Sequence, residues 1–247
     1  MKQTLQTALA LAKAGFKTKN EGNYLGIIWY VLDPLILFMI FMFVRGALGS
    51  SIEHYPVYLF VGLVIFNFFR KATSNAIGSI QSASGLITNM QIKQETFLLA
   101  SFFQSAFAHI FEIGIIIVLM VIYKLPLWYL VFYPLIFFLL SLFVIGVSFI
   151  ISTLAVYVKD LKNIWSTLTR FLFFATPIFY SARLKLPFEV NNYNPMYYFM
   201  TMGRQALIYH EIPEYWMILA AIGVSVLMLF IGLFIFNKAK QSFAEKL

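Results

Sequence analysis

Long runs of apolar residues dominate the sequence and are separated by shorter polar stretches. Most of these runs reach the roughly twenty residues that a helix needs to cross a bilayer, although the second and fifth are short or interrupted. Continuous runs predict helices, because the strands of a membrane barrel would alternate apolar and polar residues over about ten positions. The six runs are Ile27–Val44, Tyr55–Phe69, Phe97–Tyr123, Trp128–Val158, Ile164–Tyr180 and Tyr215–Phe236.

Residues 1–22 follow a different pattern, in which apolar positions recur with the helical period. This predicts an amphipathic helix that lies in the membrane interface. Lys13 and Lys17 are on its polar side, at the level of the lipid headgroups, where they can anchor the helix to anionic lipid. The apolar side comprises Leu5, Ala8, Leu9, Ala12 and Phe16.

Two stretches between the runs are too long to be simple turns. Residues 72–96, between the second and third runs, are polar and rich in small side chains. Residues 181–214, before the last run, contain Asn194 and Pro195, which predict a helix N-cap followed by a first-turn proline. The helix that follows, Met196–Tyr209, has about fourteen residues, too few to span the bilayer, so we expect it to re-enter or to lie in the outer interface.

The composition agrees with a chain that folds in lipid. Hydrophobic residues make up 61% of the sequence and charged residues 11%, with a mean hydropathy of +0.83, whereas a soluble domain carries about 25% charged residues. The predicted fold is an all-α integral membrane protein with six transmembrane helices, an N-terminal amphipathic interfacial helix and short outer-side helices before the last span. The sequence contains no internal repeat, so residues 1–247 are expected to form a single transmembrane domain. The absence of cysteine excludes disulfides and thiolate ligands.

The basic residues predict the orientation of the spans. The net charge of +8 does not indicate a nucleic-acid partner, because the lysines and arginines are dispersed among membrane segments and form no basic stripe. With the N-terminus in the cytoplasm, six spans place twelve basic residues inside and four outside, as the positive-inside rule requires. We therefore expect both termini in the cytoplasm. The inner set is Lys2, Lys13, Lys17, Lys19, Arg70, Lys71, Lys93, Lys159, Lys162, Lys238, Lys240 and Lys246, and the outer set is Arg45, Lys124, Arg183 and Lys185.

Two charged residues fall inside predicted spans, Asp33 in the first and Arg170 in the fifth. Charges within a membrane segment are rare and usually face the interior of a helix bundle or a water-filled cavity. Both residues lie at a similar depth near the cytoplasmic boundary, so one interpretation is an ion pair that forms an inner gate. The alternative is that each charge separately snorkels to the headgroups or faces water.

His109 and Glu112 share one face of the third span, because they are three positions apart. Their spacing could hold a metal ion, but a hydrogen bond inside the bundle is the simpler interpretation. The sequence indicates neither a metal site nor a catalytic site. It also contains no Walker-type phosphate loop, so any ATP and Mg²⁺ must be bound by a partner subunit and this chain is expected to hold no cofactor.

The fifth span is rich in aromatic residues. Aromatic faces can stack against sugar rings along a translocation path, or they can supply packing bulk and contacts with lipid. The candidates for such a path are Trp165, Phe171, Phe174 and Tyr180.

Three motifs resemble those of the permeases of ABC-type polysaccharide and polyol-phosphate exporters, and the resemblance covers essentially the whole chain. The first lies at the entry to the first span, the second joins the fourth and fifth spans, and the third is on the outer side. Lys159, where the family often has arginine, and Thr96 and Phe97, where it often has proline, depart from the pattern. The motifs are Asn23 to Trp29 with Asp33-Pro34-Leu35, Tyr157 to Leu161 with Thr176 to Tyr180, and Asn194-Pro195 with Arg204.

This resemblance implies a transporter subunit, not an enzyme, in the bacterial inner membrane. Two copies would work with two copies of a separate ATPase subunit, which binds and hydrolyses ATP. The cargo would be a lipid-linked polysaccharide of the O-antigen kind, or a teichoic acid, moved from the cytoplasm to the outside. Lys13 and Lys17 would then lie where a phosphate linker on the cargo could be met.

The resemblance also implies roles for particular segments. The first and fifth helices of both protomers would surround the path. Residues 181–214 would form an outer lid, and residues 72–96 would couple the permease to the ATPase. The lid residues are Asn194, Pro195 and Arg204, and the coupling residues are Gly85, Leu86, Asn89, Ile92 and Lys93.

Three other functions fit the pattern less well. The same fold could export a drug, haem or a small lipid. An ion-coupled secondary carrier could use Glu112, His109 and Asp33 as a proton relay, but such carriers commonly contain internal repeats, which this sequence lacks. A membrane transferase acting on lipid-linked sugars would need clustered carboxylates or a metal site facing the cytoplasm.

Overall fold

The structure is a computed structural model that describes residues 2–21, 26, 28–48, 52–80, 82, 92–181, 190–240 and 243. Within these residues the regular elements are helices, and no strand occurs, which confirms the predicted all-α fold. The α-helices are α1 Lys2–Asn20, α2 Ile28–Leu48, α3 Tyr55–Ser79, α4 Gln94–Ile122, α5 Tyr133–Tyr157, α6 Leu161–Ala175, α7 Pro195–Leu207 and α8 Tyr215–Ala239; short 3₁₀ helices cover Leu127–Phe132 and Val190–Tyr193.

Within the described residues, 5 helical segments are long and apolar enough to cross a membrane. They match the first four predicted spans and the last one. The second span continues to Ser79, well beyond its predicted end at Phe69, because its polar turns bond to neighbouring helices: Asn75 donates to Ser105 of α4, and Thr73 accepts from Trp165 of α6. The five segments are Ile28–Arg45, Tyr55–Ser79, Gln94–Ile122, Leu127–Tyr157 and Tyr215–Ala239.

The fifth predicted span, Ile164–Tyr180, is not one continuous helix. Helix α6 has 15 residues and ends at Ala175, which corresponds to about 22 Å, shorter than the ~30 Å hydrocarbon core. Pro177 explains the end, because the residue before a proline is pushed out of the helical conformation, and Thr176 has an extended backbone with φ −98° and ψ 136°. Residues 176–181 continue without helix. The fifth run, which the sequence marked as short or interrupted, is therefore a short helix followed by non-helical backbone.

Helix α3 occupies the centre of the bundle, with 83% of its span buried. It contacts α2, α4, α5, α6 and α7, which explains why its apolar residues continue around the whole helix instead of forming one stripe. Helix α2 is the opposite case, because Pro34 is the single buried residue within 28–45. The bundle therefore has a rigid centre and a loosely attached first span.

Helices α5 and α8 approach each other most closely at two glycines. A Cβ atom on Gly146 would collide with the backbone of Met228, and one on Gly232 would collide with the backbone of Gly146. Small residues let membrane helices pack backbone to backbone, where dispersion replaces the missing hydrophobic driving force. Ser225 adds an interhelical hydrogen bond of 2.9 Å to the carbonyl of Leu139.

The predicted amphipathic helix is present as α1, and part of its apolar side packs on α4. Ala8 and Ala12 are buried against Ala100, while Leu5 remains exposed and free to contact lipid. Phe16 stacks with Tyr30 of α2 at 5.5 Å between ring centres. Helix α1 is therefore attached to the bundle.

Candidate functional site

A buried polar network crosses four helices in the inner part of the bundle. At its centre is Glu112 of α4, whose side chain is 1% exposed. Its Oε1 accepts a hydrogen bond of 2.6 Å from Asn67, and its Oε2 lies 3.0 Å from Nδ1 of His109. His109 Nε2 in turn lies 2.9 Å from the hydroxyl of Tyr133. All four groups are satisfied when Nδ1 of His109 donates to the carboxylate and Nε2 accepts from the tyrosine.

Lys71 extends this network to the first span. Its ammonium is 3.5 Å from Glu112 Oε1 and 3.3 Å from Oδ2 of Asp33. On the neighbouring position, Arg70 donates a 2.9 Å bond to the side chain of Asn67. A buried carboxylate inside a membrane bundle needs a cation and hydrogen-bond donors to remain there, and this network supplies both.

Within this chain Asp33 therefore pairs with Lys71. Arg170, the partner that one of the two interpretations of the sequence gave it, lies elsewhere. The guanidinium of Arg170 donates instead to the hydroxyl of Ser166, one turn back on its own helix, at 3.2 Å. The prediction missed Lys71 because it ended the second span at Phe69 and assigned Lys71 to a cytoplasmic loop. Continuing the helical period from Phe69 would have placed Lys71 inside the bundle. The gate role of Asp33 and Arg170 stays a prediction.

His109 and Glu112 each make an interhelical hydrogen bond inside the bundle, with Tyr133 of α5 and with Asn67 of α3 respectively, as the simpler interpretation expected. Among the described residues, no group of three or more His, Cys, Asp and Glu side chains is arranged to hold a metal ion. The candidates for a proton relay are Asp33, His109 and Glu112. Glu112 contacts His109 directly, whereas Lys71 lies between Glu112 and Asp33.

A second polar cluster surrounds Arg204 at the opposite end of α3. Arg204 is buried, with 3% of its surface exposed. It donates to the carbonyls of Tyr58 at 3.3 Å, Pro177 at 2.7 Å and Ile178 at 2.8 Å. The planar guanidinium suits this task, because it presents five donors in a fixed arrangement.

Residues 177–180, which we call the exit strap, are non-helical backbone that follows α6. Backbone carbonyls at membrane depth must find partners within the protein. Arg204 satisfies the first two, the Tyr55 hydroxyl donates to Phe179 at 3.0 Å, and the Tyr58 hydroxyl donates to Tyr180 at 2.9 Å. Side chains of α3 and α7 therefore hold every carbonyl of the strap.

The predicted N-cap at Asn194 is confirmed. Its side-chain oxygen accepts a 3.0 Å bond from the backbone N–H of Met196, and Pro195 is in the first turn of α7. The Asn194 amide also donates to the hydroxyl of Thr176 at 2.8 Å. The three residues predicted for the lid, Asn194, Pro195 and Arg204, are thus brought together at the end of α6.

The four aromatic candidates for a translocation path do not share one surface. Phe171 and Phe174 project from α6 and are 69% and 63% exposed. Trp165 instead turns toward the centre, where its indole N–H donates to Thr73 at 3.0 Å. Tyr180 is half-buried in the exit strap. The exposed face of α6 also carries Arg170.

The structure describes residues 72–80, 82 and 92–96 of the predicted coupling segment. Gly85, Leu86 and Asn89 lie outside the described residues, whereas Ile92 and Lys93 directly precede α4, with Lys93 as its N-cap. Helices occupy residues 72–79 and 94–96 of the predicted segment. An open cavity of about 770 Å³ lies beside it, lined by Leu11, Ser74, Asn75, Ile77, Gly78, Ser79, Ser82, Phe97, Ala100, Ser101, Gln104, Ala155, Val158, Lys159 and Lys162.

Lys13 and Lys17 are both exposed on α1, as predicted for its polar side. Lys17 forms an ion pair of 3.5 Å with Glu21, one turn further along the chain. Such an exposed pair contributes little to stability.

The long apolar helices and the satisfied non-helical backbone of the exit strap are those of a multi-pass helical membrane protein. The chain belongs to the ABC-2 type transporter family, which it matches over residues 6–208.

Two named relatives align with nearly the whole chain, and a third aligns with about three fifths of it. The O-antigen export system permease protein RfbA of Myxococcus xanthus is 26% identical over 97% of this chain and 94% of its own length. A permease of the same name from Klebsiella pneumoniae is 27% identical over 96% of this chain and 93% of its own length. The capsule polysaccharide export inner-membrane protein CtrC of Neisseria meningitidis serogroup B is 27% identical over 62% of this chain and 59% of its own length.

Proposed function

We propose that this chain is the permease subunit of an exporter that moves a lipid-linked, O-antigen-like polysaccharide out of the cytoplasm across the bacterial inner membrane. The observation that carries the proposal is the alignment over 97% and 96% of the chain with two permeases named for O-antigen export. The similarity to a capsule export protein supports a polysaccharide cargo more broadly. Teichoic acid, a drug, haem or a small lipid are the alternative cargoes.

The working unit in this proposal is a homodimer in which α2 and α6 of each copy face a shared path. Both helices are peripheral and carry charges on exposed surface: the Asp33 side chain is 53% exposed, and Arg170 is exposed as well. A charge that faced lipid would be costly, by about 3 kcal/mol at the centre of the bilayer and by less toward its boundary. A wet path between two copies would remove that cost. Phe171 and Phe174 would lie on the same surface and could stack against sugar rings.

The chain crosses the membrane six times in this proposal, with both termini in the cytoplasm. What supports a sixth crossing is the course of residues 165–180, which follow α3 from one end to the other. Trp165 contacts Thr73, Phe173 packs on Phe66, and Phe179 accepts from Tyr55. Eighteen residues of α3 separate Thr73 from Tyr55, and a helix of that length spans about 27 Å. A short helix and an extended strap together cover nearly the hydrocarbon thickness.

A separate ATPase subunit would dock on the cytoplasmic end of the permease. The cavity lined by Ser79, Ser82 and Phe97 supports this, because these residues lie within the predicted coupling segment, residues 72–96, or directly after it. Two exposed lysines, Lys159 and Lys162, line it and could meet acidic side chains of a partner. ATP and Mg²⁺ would be held by that partner.

Residues 181–214 would form the outer lid in this scheme. The bonds of Asn194 and Arg204 to the end of α6 support that role, because they connect the lid helix α7 to the exit strap. Lys13 and Lys17 would lie at the inner headgroup level, where the phosphate linker of the cargo enters, in competition with anionic lipid.

Deleting the gene in its native host tests the cargo. We expect surface polysaccharide to disappear and its lipid-linked form to accumulate inside the cell, with full recovery on complementation. A matched control is the inactivated ATPase subunit, which should reproduce both effects. Unchanged surface polysaccharide, with altered drug or haem sensitivity, would contradict the proposed cargo. Export that follows the proton gradient and continues without ATP hydrolysis would favour the secondary carrier instead.

A further inference from the structure

One lysine connects the loosely attached first span to the buried centre of the bundle. The ammonium of Lys71, on α3, lies 3.3 Å from Asp33 on α2 and 3.5 Å from Glu112 on α4. Two carboxylates from different helices therefore share one cation. The contact with Asp33 is an ion pair between α2 and the rest of the described bundle.

The two carboxylates that share Lys71 are in unequal surroundings. The Glu112 side chain is 1% exposed and also accepts hydrogen bonds from Asn67 and His109. The Asp33 side chain is 53% exposed. Because water screens exposed charges strongly and buried charges weakly, the contact with Glu112 is the stronger one. Losing it would also leave a buried carboxylate without its cation, whereas losing the Asp33 contact would not.

The backbone of α2 contains a proline at the same level. Pro34 follows Asp33 inside the helix, and a proline there lacks the N–H that would complete one helical hydrogen bond, which is a common cause of helix bending. A small gap lined by Pro34, Leu37, Asn67, Arg70 and Phe173 lies beside it. The ion pair therefore lies next to the point where the hydrogen bonding of α2 is incomplete.

We infer that Lys71 is the pivot of the first span: α2 swings about Pro34 when the Asp33–Lys71 contact breaks, while Lys71 stays on Glu112. Asp33, Lys71 and Glu112 are thus positioning residues that hold α2 in its closed position. The inference rests on the proposed function, in which α2 moves to open a path. Breaking one screened ion pair is a small change, so modest binding energy from a partner is enough to shift the equilibrium.

Hydrogen–deuterium exchange of the purified full-length chain in lipid nanodiscs tests the pivot. In D33N we expect amide exchange of residues 28–48 to rise by about threefold, the effect of a weak ion pair, while α3 and α5 keep their wild-type rates. K238Q is the control, because it removes an exposed charge from α8, away from α2, and α2 should be unaffected. Unchanged α2 exchange in D33N, equal acceleration throughout the bundle, or an equal effect of K238Q on α2 would each overturn the inference.

A charge exchange tests whether Lys71 is shared. If Asp33 and Lys71 were an isolated pair, the D33K/K71D double variant would restore their attraction. If Lys71 is shared, the aspartate that replaces it in the double variant is repelled by the Glu112 carboxylate. The double variant should therefore keep the fast amide exchange of α2. Adding E112Q removes that repulsion, so the triple variant should show slow α2 exchange again. Rescue by the double variant alone, or no rescue by the triple variant, would overturn the shared role. Amide exchange does not depend on the cargo, so failure of the polysaccharide assay would leave these results unaffected.

Discussion

The guanidinium of Arg204 lies 3.5 Å from the centre of the Tyr58 ring, and from there it donates to the carbonyls of Pro177 and Ile178. One buried side chain therefore attaches α7 to both α3 and the exit strap. Because non-helical backbone at this depth has no water to bond with, the strap can keep its extended course only while these donors are present.

Replacing Arg204 by glutamine should destabilise the protein by about 3 kcal/mol, since it leaves buried carbonyls without donors. That loss corresponds to a thermal unfolding midpoint lower by about 6–12 °C in detergent. R204K should give an intermediate loss, because lysine keeps the charge but not the fork of donors. R170Q, which removes an exposed arginine, is the control and should leave the midpoint within about 2 °C. Equal midpoints for R204Q and R170Q would contradict the role assigned to Arg204.

The glycine contact between α5 and α8 makes a second prediction. G146A and G232A should each destabilise the protein by about 1–3 kcal/mol, because the added methyl group collides with backbone that cannot rotate away. G223A is a matched control on α8, since a Cβ there has nothing within 4 Å. We expect it to be neutral or slightly stabilising in the same thermal assay. A midpoint for G232A no lower than that of G223A would show that the two helices are less closely packed.

Trp165 can be assigned to packing or to the path by a double-mutant cycle with Thr73. If the indole's main role is its hydrogen bond to Thr73, W165F and T73V should each destabilise by about 1 kcal/mol, and the double variant should lose little more than either one. Export by W165F should then fall only as far as stability does. Normal stability with lost export would instead place Trp165 on the path.

Phe171 and Phe174 should behave in the opposite way. Because both side chains are exposed in the single chain, F171A and F174A should leave its unfolding midpoint within about 2 °C. Under the proposed function, each should reduce export or the fraction of dimer, which can be measured by surface polysaccharide and by light scattering in detergent. Leu227 of α8 is also exposed, so L227A is a control that should affect neither. Unchanged export and dimerisation in both phenylalanine variants would remove α6 from the path.

The number of crossings can be tested directly, because the chain contains no cysteine. Single cysteines at the exposed positions Lys13, Ile212 and Lys238 report on α1, the outer side and the end of α8. With six crossings, a membrane-impermeant maleimide applied to intact spheroplasts should label only I212C. Permeabilisation should then expose K13C and K238C. Labelling of K13C and K238C from opposite sides would establish five crossings.

The sequence by itself determined the class of fold and the family. Apolar runs of membrane length predicted five spans that the structure contains, and the Asn194-Pro195 pair predicted the start of α7, because these features depend on residues close together in the chain. The motifs at Asp33-Pro34, Thr176-Pro177 and Asn194-Pro195 were enough to indicate the exporter family, which the match over residues 6–208 confirmed.

The partners of the buried charges were decided only by the tertiary structure. The similar predicted depth of Asp33 and Arg170 in the membrane suggested that the two could pair. The way in which the neighbouring helices pack places Lys71 next to Asp33 instead. The break after Ala175 could be suspected from Pro177, yet its survival inside a membrane protein depends on Arg204, Tyr55 and Tyr58, which are distant in sequence. Hydropathy records how far each residue prefers lipid to water, whereas a hydrogen bond or ion pair depends on which faces of packed helices meet.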